Sequence, residues 1–225
     1  MEVTTTGALA VQNGIKCIIY GSPGSGKTPL ALTASNSLYI AIERGQISLQ
    51  GSNAPAVEAY DLESFYKVLE WIKTTPEGQS YDTYFFDSIS QLSLLILDQE
   101  LNKKAKSGEK VNGQAAYGAM ARRVLTAIDI LYNLPNKNIV LLSQLNTKPE
   151  QARPYFPGNE IDTRIPHKFD CVFHLGIHEV PEHGPTYSLL CRETDSTFAR
   201  CRFENCANVE AANLDYLFNK LTNGV

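Results

Sequence analysis

The stretch from Gly21 to Thr28 constrains this chain more than any other part of the sequence. It reads Gly-Ser-Pro-Gly-Ser-Gly-Lys-Thr, which is the G-x-x-x-x-G-K-T pattern of a phosphate-binding P-loop. The apolar residues 15–20 before it predict a buried strand, and residues 29–34 after it predict a helix. Strand, loop and helix in this order are the context in which the pattern carries meaning. The sequence therefore predicts an α/β fold with a phosphate site near its start.

The residue types in this loop suit a bound triphosphate. Glycines let the backbone approach phosphates without an obstructing Cβ, and successive N–H groups at a helix N-terminus attract anions. We expect the lysine to reach the β- and γ-phosphates and the threonine hydroxyl to bind Mg²⁺. ATP is the expected nucleotide, and the chain has no Asn-Lys-x-Asp guanine-reading pattern. The predicted nucleotide-binding residues are Gly21, Ser22, Pro23, Gly24, Ser25, Gly26, Lys27 and Thr28.

Three polar side chains are predicted at the ends of buried strands. Glu43 follows residues 37–42, Asp87 closes an apolar run, and Gln144 follows residues 137–143. The carboxyl ends of strands in an open α/β sheet face the ligand. Asp87 is predicted to hold Mg²⁺ together with the threonine, and Glu43 to activate the attacking water. Gln144 is predicted to sense the γ-phosphate. The alternatives are a solvated acid and an amide that bonds a neighbouring loop.

The remaining patterns complete an α/β fold. Helices are predicted over residues 61–73, 89–101, 119–134 and 207–221, and strands over residues 169–177, 186–191 and 197–203. We expect a mainly parallel central sheet flanked by helices, with antiparallel strands toward the C-terminus. The length of 225 residues suits one domain over residues 1–225, with residues 1–13 as a lead-in to the first strand.

Two segments are predicted as loops. Residues 102–118 form the most basic window of the chain, and we expect a mobile loop that contacts a phosphate backbone. A solvated surface loop is the alternative. Tyr117 could stack on a base or pack against the next helix. Residues 147–168 contain prolines and no clear period, which is typical of a functional or disordered loop. The predicted DNA-contacting lysines are Lys103, Lys104, Lys106 and Lys110.

Charge and composition argue against several classes of protein. The net charge of −4 is not that of a strongly basic nucleic-acid binder, so DNA contacts must come from local patches or from an oligomer that lines up one surface. No apolar run reaches the roughly 18 residues of a membrane span, and residues 1–13 lack the pattern of a signal peptide. The five cysteines lack C-x-x-C spacing and predict reduced thiols in a cytoplasmic protein. The alternative is a zinc site built from Cys171, Cys191, Cys201 and Cys206, with His174 or His178 as a further ligand.

Arginines lie near the predicted strand ends at Arg192, Arg200 and Arg202, and an arginine there is a candidate for a role between subunits. Arg200 and Arg202 could reach the triphosphate bound by a neighbouring copy, as arginine fingers do. Salt bridges on the surface are the alternative. These residues are therefore candidate trans-acting arginines.

The motifs together resemble one known group. The P-loop, residues 40–45 with their glutamate, Phe85-Phe86-Asp87-Ser88 and Ser143-Gln144 occur in the order of the RecA-type core. Over roughly residues 15 to 203, the chain looks like the small phage-encoded P-loop ATPases of the Sak group, relatives of RecA. The P-loop is the most specific part of this resemblance.

The resemblance implies a RecA-like ATPase that binds single-stranded DNA and assists annealing or recombination in the host cytoplasm. Glu43 would activate water, and Gln144 would couple the γ-phosphate to the loop that follows it. Residues 103–118 and 147–168 would be the two DNA loops. Family members can assemble head to tail with ATP between subunits, and a single-strand-binding protein is a further expected partner.

Two other functions remain open from the sequence. In the first, ATP sets the oligomeric state of a switch or assembly protein, and DNA has no part. The second is a small-molecule kinase. A glutamate upstream of the Asp-Ser pair suits activation of water better than transfer to a hydroxyl acceptor, so hydrolysis is the favoured reaction.

Overall fold

The computed structural model describes residue 3 and residues 14–106, 112–147, 150–158, 161–180 and 183–223. The strands are β1 (Lys16–Gly21), β2 (Ser37–Ala41), β3 (Ala56–Glu58), β4 (Thr83–Asp87), β5 (Asn138–Thr147), β6 (Ala152–Pro154), β7 (Cys171–Val180), β8 (Gly184–Leu190), β9 (Arg200–Cys201) and β10 (Val209–Ala211). The helices are α1 (Lys27–Leu30), α2 (Leu62–Thr74), α3 (Ile89–Lys106), α4 (Gly113–Tyr132), α5 (Ile161–Lys168) and α6 (Leu214–Asn223). Short 3₁₀ turns cover Ala31–Thr33 and Gln46–Leu49.

The strands form one mixed sheet in the order β10-β8-β7-β1-β5-β4-β2-β3. The strands from β7 through β3 pair in parallel. Strands β8, β9 and β10 pair antiparallel at the β7 side of the sheet. Strand β6 extends the pairing of β5 in the antiparallel sense. This architecture confirms the predicted fold class.

Helices cover both faces of the sheet, which is why the central strands are apolar throughout rather than alternating. Every residue of β1 is buried. Ile18 and Tyr20 of β1 belong to the core on one face, with α2, α3, α4 and α5. Cys17 and Ile19 belong to the core on the other face, with α1 and α6. The strand that leads into the P-loop is therefore held between two hydrophobic cores.

Helix α2 agrees with its prediction, and its start has a local cause. Asp61 is the N-cap, and its side chain accepts a hydrogen bond from the Ser64 N–H at 2.8 Å. The Ser64 hydroxyl side chain in turn accepts from the Asp61 N–H at 3.3 Å, which completes a capping box.

The predicted loop over residues 102–118 is wrong at both ends. Helix α3 continues to Lys106, and the exposed side chain of Asn102 donates to Asp98 one turn earlier at 2.9 Å. Lysine and alanine also favour helix, so Lys103, Lys104 and Lys106 belong to α3. Helix α4 begins at Gly113 because Asn112 caps it, accepting from the Ala115 N–H at 3.2 Å. Lys110 lies outside the described residues.

The predicted loop over residues 147–168 is also partly wrong. Residues 152–154 form β6, which pairs with the end of β5, and residues 161–168 form α5 despite Pro166 inside it. The helix was not predicted because a proline usually interrupts a helical pattern. In the structure Pro166 removes only one backbone N–H donor from the helix.

Three further boundaries differ from the predictions. The first helix is reduced to α1 and a 3₁₀ turn, within which the Thr33 hydroxyl bonds the Leu30 carbonyl at 2.7 Å. The last helix begins at Leu214 rather than residue 207, because Asn213 accepts from the Tyr216 N–H at 3.0 Å. Residues 209–211 pair with β8 instead. The strand predicted over residues 197–203 is only Arg200–Cys201.

Two expectations concern the chain as a whole. A single domain over residues 1–225 stays a prediction, and its lead-in over residues 1–13 lies outside the described residues apart from Val3. None of the helices in the described ranges combines the length and apolar character needed to cross a membrane.

Candidate functional site

The loop between β1 and α1 lies at the carboxyl edge of the parallel strands. Gly24 and Gly26 have φ values of 77° and 75°, in the left-handed region that favours glycine. Gly26 is the N-cap of α1, and among the described residues no side-chain hydrogen bond caps this helix. The loop therefore turns sharply where it enters α1.

Lys27 folds back onto the loop that carries it. Its Nζ donates to the carbonyl oxygens of Gly21 and Ser22, both at 2.8 Å. Burial lowers the pKa of Lys27, while the nearby Asp87 and Glu43 raise it. Lys27 lines a cavity of about 590 Å³, a volume in the range of about 300–1,000 Å³ that small-molecule sites occupy. The cavity is also lined by Gly21, Pro23, Gly24, Gly26, Thr28, Glu43, Asp87 and Gln144.

Asp87 ends β4 as a buried carboxylate held by two hydroxyl groups. The Thr28 Oγ1 donates to its Oδ2 at 2.7 Å, and the Tyr39 hydroxyl donates to the same oxygen at 2.5 Å. Burial and the charge of Asp87 raise the pKa of Tyr39, so this phenol remains a donor. Hydroxyl and carboxylate oxygens are the ligands that Mg²⁺ prefers. Thr28 and Asp87 therefore fit a Mg²⁺ site.

Glu43 follows β2 and lies beside the same carboxylate. The Ser88 hydroxyl donates to Glu43 Oε2 at 3.2 Å. Burial raises the pKa of Glu43 and the charge of Asp87 raises it further, while Ser88, Lys27 and Gln144 oppose the rise. The N–H groups of Ile42 and Glu43 donate to the Asp87 carbonyl at 2.6 and 3.1 Å. A half-buried carboxylate with a raised pKa is suited to accept a proton.

Gln144 lies where β5 passes the cavity, and its side chain is exposed. Its N–H donates to the Ser90 hydroxyl of α3 at 3.0 Å, and its carbonyl accepts from the Tyr155 N–H at 2.8 Å. The Ser90 hydroxyl also donates to the Tyr155 carbonyl at 2.8 Å. The backbone of Gln144 is thereby linked to α3 and to the segment after β6.

The structure thus brings Lys27, Thr28, Glu43, Asp87 and Gln144 to one cavity, as the sequence predicted. Their chemical roles stay predictions. The candidate arginines lie elsewhere.

Arg200 and Arg202 lie at the opposite edge of the sheet from the P-loop. Arg200 pairs with Val172 near the start of β7, and its guanidinium is 3.3 Å from His167 Nδ1. Arg202 donates to the His167 carbonyl at 2.9 Å and forms an ion pair with Asp170 at 3.6 Å. Neither side chain can therefore act on the P-loop of its own subunit. Their role toward a neighbouring subunit stays a prediction.

The two predicted DNA segments meet beside α4. Tyr117 is 43% exposed, and a Cβ at Gly158 would lie 3.2 Å from Cδ1 of its ring. Both residues line a cavity of about 570 Å³ with Pro157 and Ile161. Lys103 is ion-paired with Glu100 at 3.1 Å. The backbones of Lys104 and Lys106 lie in α3, and Lys110 is outside the described ranges.

Two residues lie near the P-loop without having been predicted there. Tyr187 of β8 donates to the Ser25 carbonyl at 2.6 Å. His174 of β7 packs against Tyr20, with ring centroids 5.1 Å apart. Burial, together with the neighbouring His178 and Lys27, lowers the pKa of His174 to about 4. No local pattern identifies either residue, because strand pairing across β8, β7 and β1 brings them to the loop.

The cysteines lie in the core on the α1 and α6 face. All five are buried and free, and the sulfur atoms of Cys171 and Cys201 are 3.4 Å apart. His174 and His178 bond each other at 3.0 Å. Within the described part of the chain, no group of three or more His, Cys, Asp or Glu side chains is arranged to hold a metal ion. The zinc alternative therefore gains no support there.

The chain matches one protein family and is similar to solved structures. One such structure is the KaiC-like protein PH0186 from the hyperthermophilic archaeon Pyrococcus horikoshii OT3. It is 14% identical, with 89% of each chain covered and a TM-score of 0.49. No curated protein matches the sequence. A protein family described as an AAA domain (AAA_24) matches residues 13–203, which include the P-loop, Glu43, Asp87 and Gln144. Because this match spans most of the sequence, the chain belongs to that family of P-loop ATPase domains.

Proposed function

We propose that this chain is a Mg²⁺-dependent ATPase that acts on single-stranded DNA in phage recombination or replication, as the ATPases of the Sak group do. The observation that carries the ATPase part is the meeting of five functional side chains at one cavity. The DNA part is supported by the contact between the two predicted DNA segments. Family membership supports nucleotide binding.

Each side chain has a defined task in hydrolysis. The backbone of the loop holds the triphosphate, and Lys27 exchanges its two carbonyl partners for phosphate oxygens. A Mg²⁺ ion held by Thr28 and Asp87 would neutralise phosphate charge. Glu43 accepts the proton of the attacking water, a role that typically contributes about 10²- to 10⁴-fold in rate. Gln144, which lies within β5 where the strand lines the cavity, would contact the γ-phosphate.

One backbone hydrogen bond links the cavity to the segment that lies beside the proposed DNA surface. Gln144 is bonded to Tyr155 through its backbone, and Tyr155 is close in sequence to Gly158, which lies against Tyr117. A change at the γ-phosphate can therefore reach the segment on which Tyr117 packs. An exposed aromatic ring suits stacking on a base, an interaction that tolerates any sequence.

A second candidate is a nucleotide-dependent switch or assembly protein that does not bind DNA. One observation favours it. The ammonium of Lys103 is paired with Glu100, and Arg123 binds the same carboxylate at 2.7 Å. These cations are thus partly neutralised within the subunit, which weakens the attraction of this surface for phosphates.

The deciding experiment is the steady-state ATPase rate with and without single-stranded DNA, at low and moderate salt, beside a Glu43→Gln variant. We expect DNA to stimulate hydrolysis and the variant to lose about 10²- to 10⁴-fold in kcat. A variant with alanine at Lys103, Lys104, Lys106 and Lys110 should weaken DNA binding and flatten its salt dependence. Lys67→Ala, which removes an exposed lysine paired with Glu63, is the matched control.

The opposite results have clear meanings. A slow rate that is indifferent to DNA at both salt concentrations would favour the switch. An unchanged rate in Glu43→Gln would remove this residue as the base.

A further inference from the structure

Tyr187 contacts the P-loop although its strand, β8, is not a neighbour of β1, the strand that leads into the loop. Its hydroxyl donates to the Ser25 carbonyl at 2.6 Å, although β7 lies between β8 and β1 in the sheet. The ring is 44% exposed, and its hydroxyl lies against the P-loop backbone. It therefore connects the antiparallel part of the sheet with the loop.

The contact coincides with the turn that opens α1. Gly26 has a φ of 75°, and a Cβ at this position would overlap the Tyr187 hydroxyl. The Ser25 N–H donates to Ser22 within the loop at 3.1 Å. The Ser25 hydroxyl is buried and has no hydrogen-bond partner among the described residues. The hydrogen bond from Tyr187 thus connects Ser25 of the P-loop with β8.

Tyr187 lies in β8, which is hydrogen-bonded along its length to β7. Tyr187 pairs with Ile177, and Leu189 pairs with Leu175, in a continuous antiparallel ladder between β7 and β8. A Cβ at Gly21 would overlap the Leu175 carbonyl, so β7 also adjoins the first residue of the loop. The two strands therefore contact the P-loop at its beginning and at its turn into α1.

We propose that Tyr187 is a positioning residue for nucleotide binding. It holds Ser25 and Gly26 so that the N–H groups of the loop keep the geometry that phosphates require. The inference rests on the nucleotide-binding part of the proposed function and is independent of DNA. Since Tyr187 does not touch the reacting atoms in this arrangement, its loss should raise KM for ATP more than it lowers kcat.

The test compares Tyr187→Phe and Tyr187→Ala with the unaltered chain. Titration with a fluorescent ATP analogue gives the nucleotide affinity, and hydrogen–deuterium exchange reports on the peptide over residues 21–30. Losing the hydrogen bond in Tyr187→Phe should weaken nucleotide binding about 3- to 10-fold and speed exchange in that peptide. Tyr216→Phe, which alters a tyrosine of α6 that is 55% exposed, is the control and should change neither.

The outcomes separate this inference from the proposed function. Affinity and loop exchange in Tyr187→Phe that equal those of the unaltered chain would overturn it. If Tyr187→Ala fails to fold, Tyr187→Phe decides, because it keeps the ring. If the unaltered chain binds no nucleotide, the proposed function fails, and the exchange of the loop peptide alone decides whether Tyr187 positions the loop.

Discussion

At the scale of single residues, the site is organised around the carboxylate of Asp87, which is 4% exposed. Burying a carboxylate costs free energy unless hydrogen bonds replace its water. Thr28 and Tyr39 donate to one of its oxygens from two different elements. The phenol has no place in the sequence motifs, yet it fixes the orientation of the predicted metal ligand.

We predict that Tyr39→Phe raises the Mg²⁺ concentration needed for nucleotide binding and hydrolysis by about tenfold, as loss of a group that orients a metal ligand typically does. Mg²⁺ titrations of nucleotide affinity and of the ATPase rate measure this change. Tyr84→Phe is the matched control, since Tyr84 is equally buried but donates to the Gly78 carbonyl at 2.6 Å. Equal Mg²⁺ requirements in the two variants would refute the role of Tyr39.

The pH dependence of hydrolysis should reflect Glu43. Its pKa is raised by burial and by Asp87, so the base becomes protonated at a higher pH than an ordinary glutamate, whose pKa is about 4.3. The acid limb of the kcat–pH profile should therefore lie above that value and disappear in Glu43→Gln. An acid limb at the pKa of an ordinary glutamate would contradict the assignment of Glu43 as the base.

Glu43 should also affect stability, with a defined sign. Because its pKa is raised in the folded state, its contribution to stability is present at low pH and is lost as the pH rises through the folded pKa. Glu43→Gln should therefore be slightly more stable than the unaltered chain at neutral pH, and this difference should vanish under acidic conditions. Melting temperatures at both pH values measure the effect.

At the scale of elements, α3, α4 and the segment after β6 form a connected unit. Helices α3 and α4 pack together, and Ser90 of α3 bonds both Gln144 and Tyr155. Tyr117 of α4 lies against Gly158 of the same segment. The elements that flank the predicted DNA segments are thus joined to the part of β5 that lines the cavity.

We predict that Tyr117→Ala weakens single-stranded DNA binding by about 1–3 kcal/mol, the usual value for loss of one stacked base. ATP hydrolysis without DNA should remain close to that of the unaltered chain. Fluorescence anisotropy with a labelled oligonucleotide measures the binding, and Tyr216→Ala is the control for an exposed tyrosine. DNA affinity that is the same in both variants would exclude Tyr117 as a stacking residue.

At the scale of the whole molecule, the P-loop and the candidate arginines lie at opposite edges of the sheet. A head-to-tail assembly would bring the edge with Arg200 and Arg202 toward the P-loop of the next copy. Arg202 is 46% exposed and its ion pair with Asp170 spans 3.6 Å. Such a surface pair contributes little to stability, so we expect the fold to tolerate replacement of Arg202.

We predict that subunits carrying Lys27→Ala and subunits carrying both Arg200→Ala and Arg202→Ala are each inactive alone and regain activity when mixed. When equal amounts of the two variants assemble at random, about one quarter of the interfaces combine an intact P-loop from one subunit with intact arginines from the next. The ATPase rate as a function of mixing ratio measures this recovery. Arg122→Ala, an exposed arginine on α4, is the control. A mixture without recovery would show that these arginines do not act between subunits.

The sequence by itself determined the local features of this protein. The P-loop, the buried strands and the cap at Asp61 depend on residues that are neighbours in the chain, and each has a pattern of residue types. The meeting of Glu43, Asp87 and Gln144 at one cavity also followed, because parallel strands of an α/β sheet end at the same edge. The ends of the helices were harder to predict from the sequence. Asparagine is typical of turns, yet hydrogen bonds of its side chain support helices at Asn102, Asn112 and Asn213.

Only the tertiary structure decided which distant side chains complete the site. Tyr187 is 162 positions from Ser25, and Tyr39 is 48 positions from Asp87. Their contacts depend on the order and register of strands, which are set by packing across the whole sheet and leave no trace in a local pattern. A tyrosine in a strand signals burial in general, and the partner of its hydroxyl is determined by the fold alone.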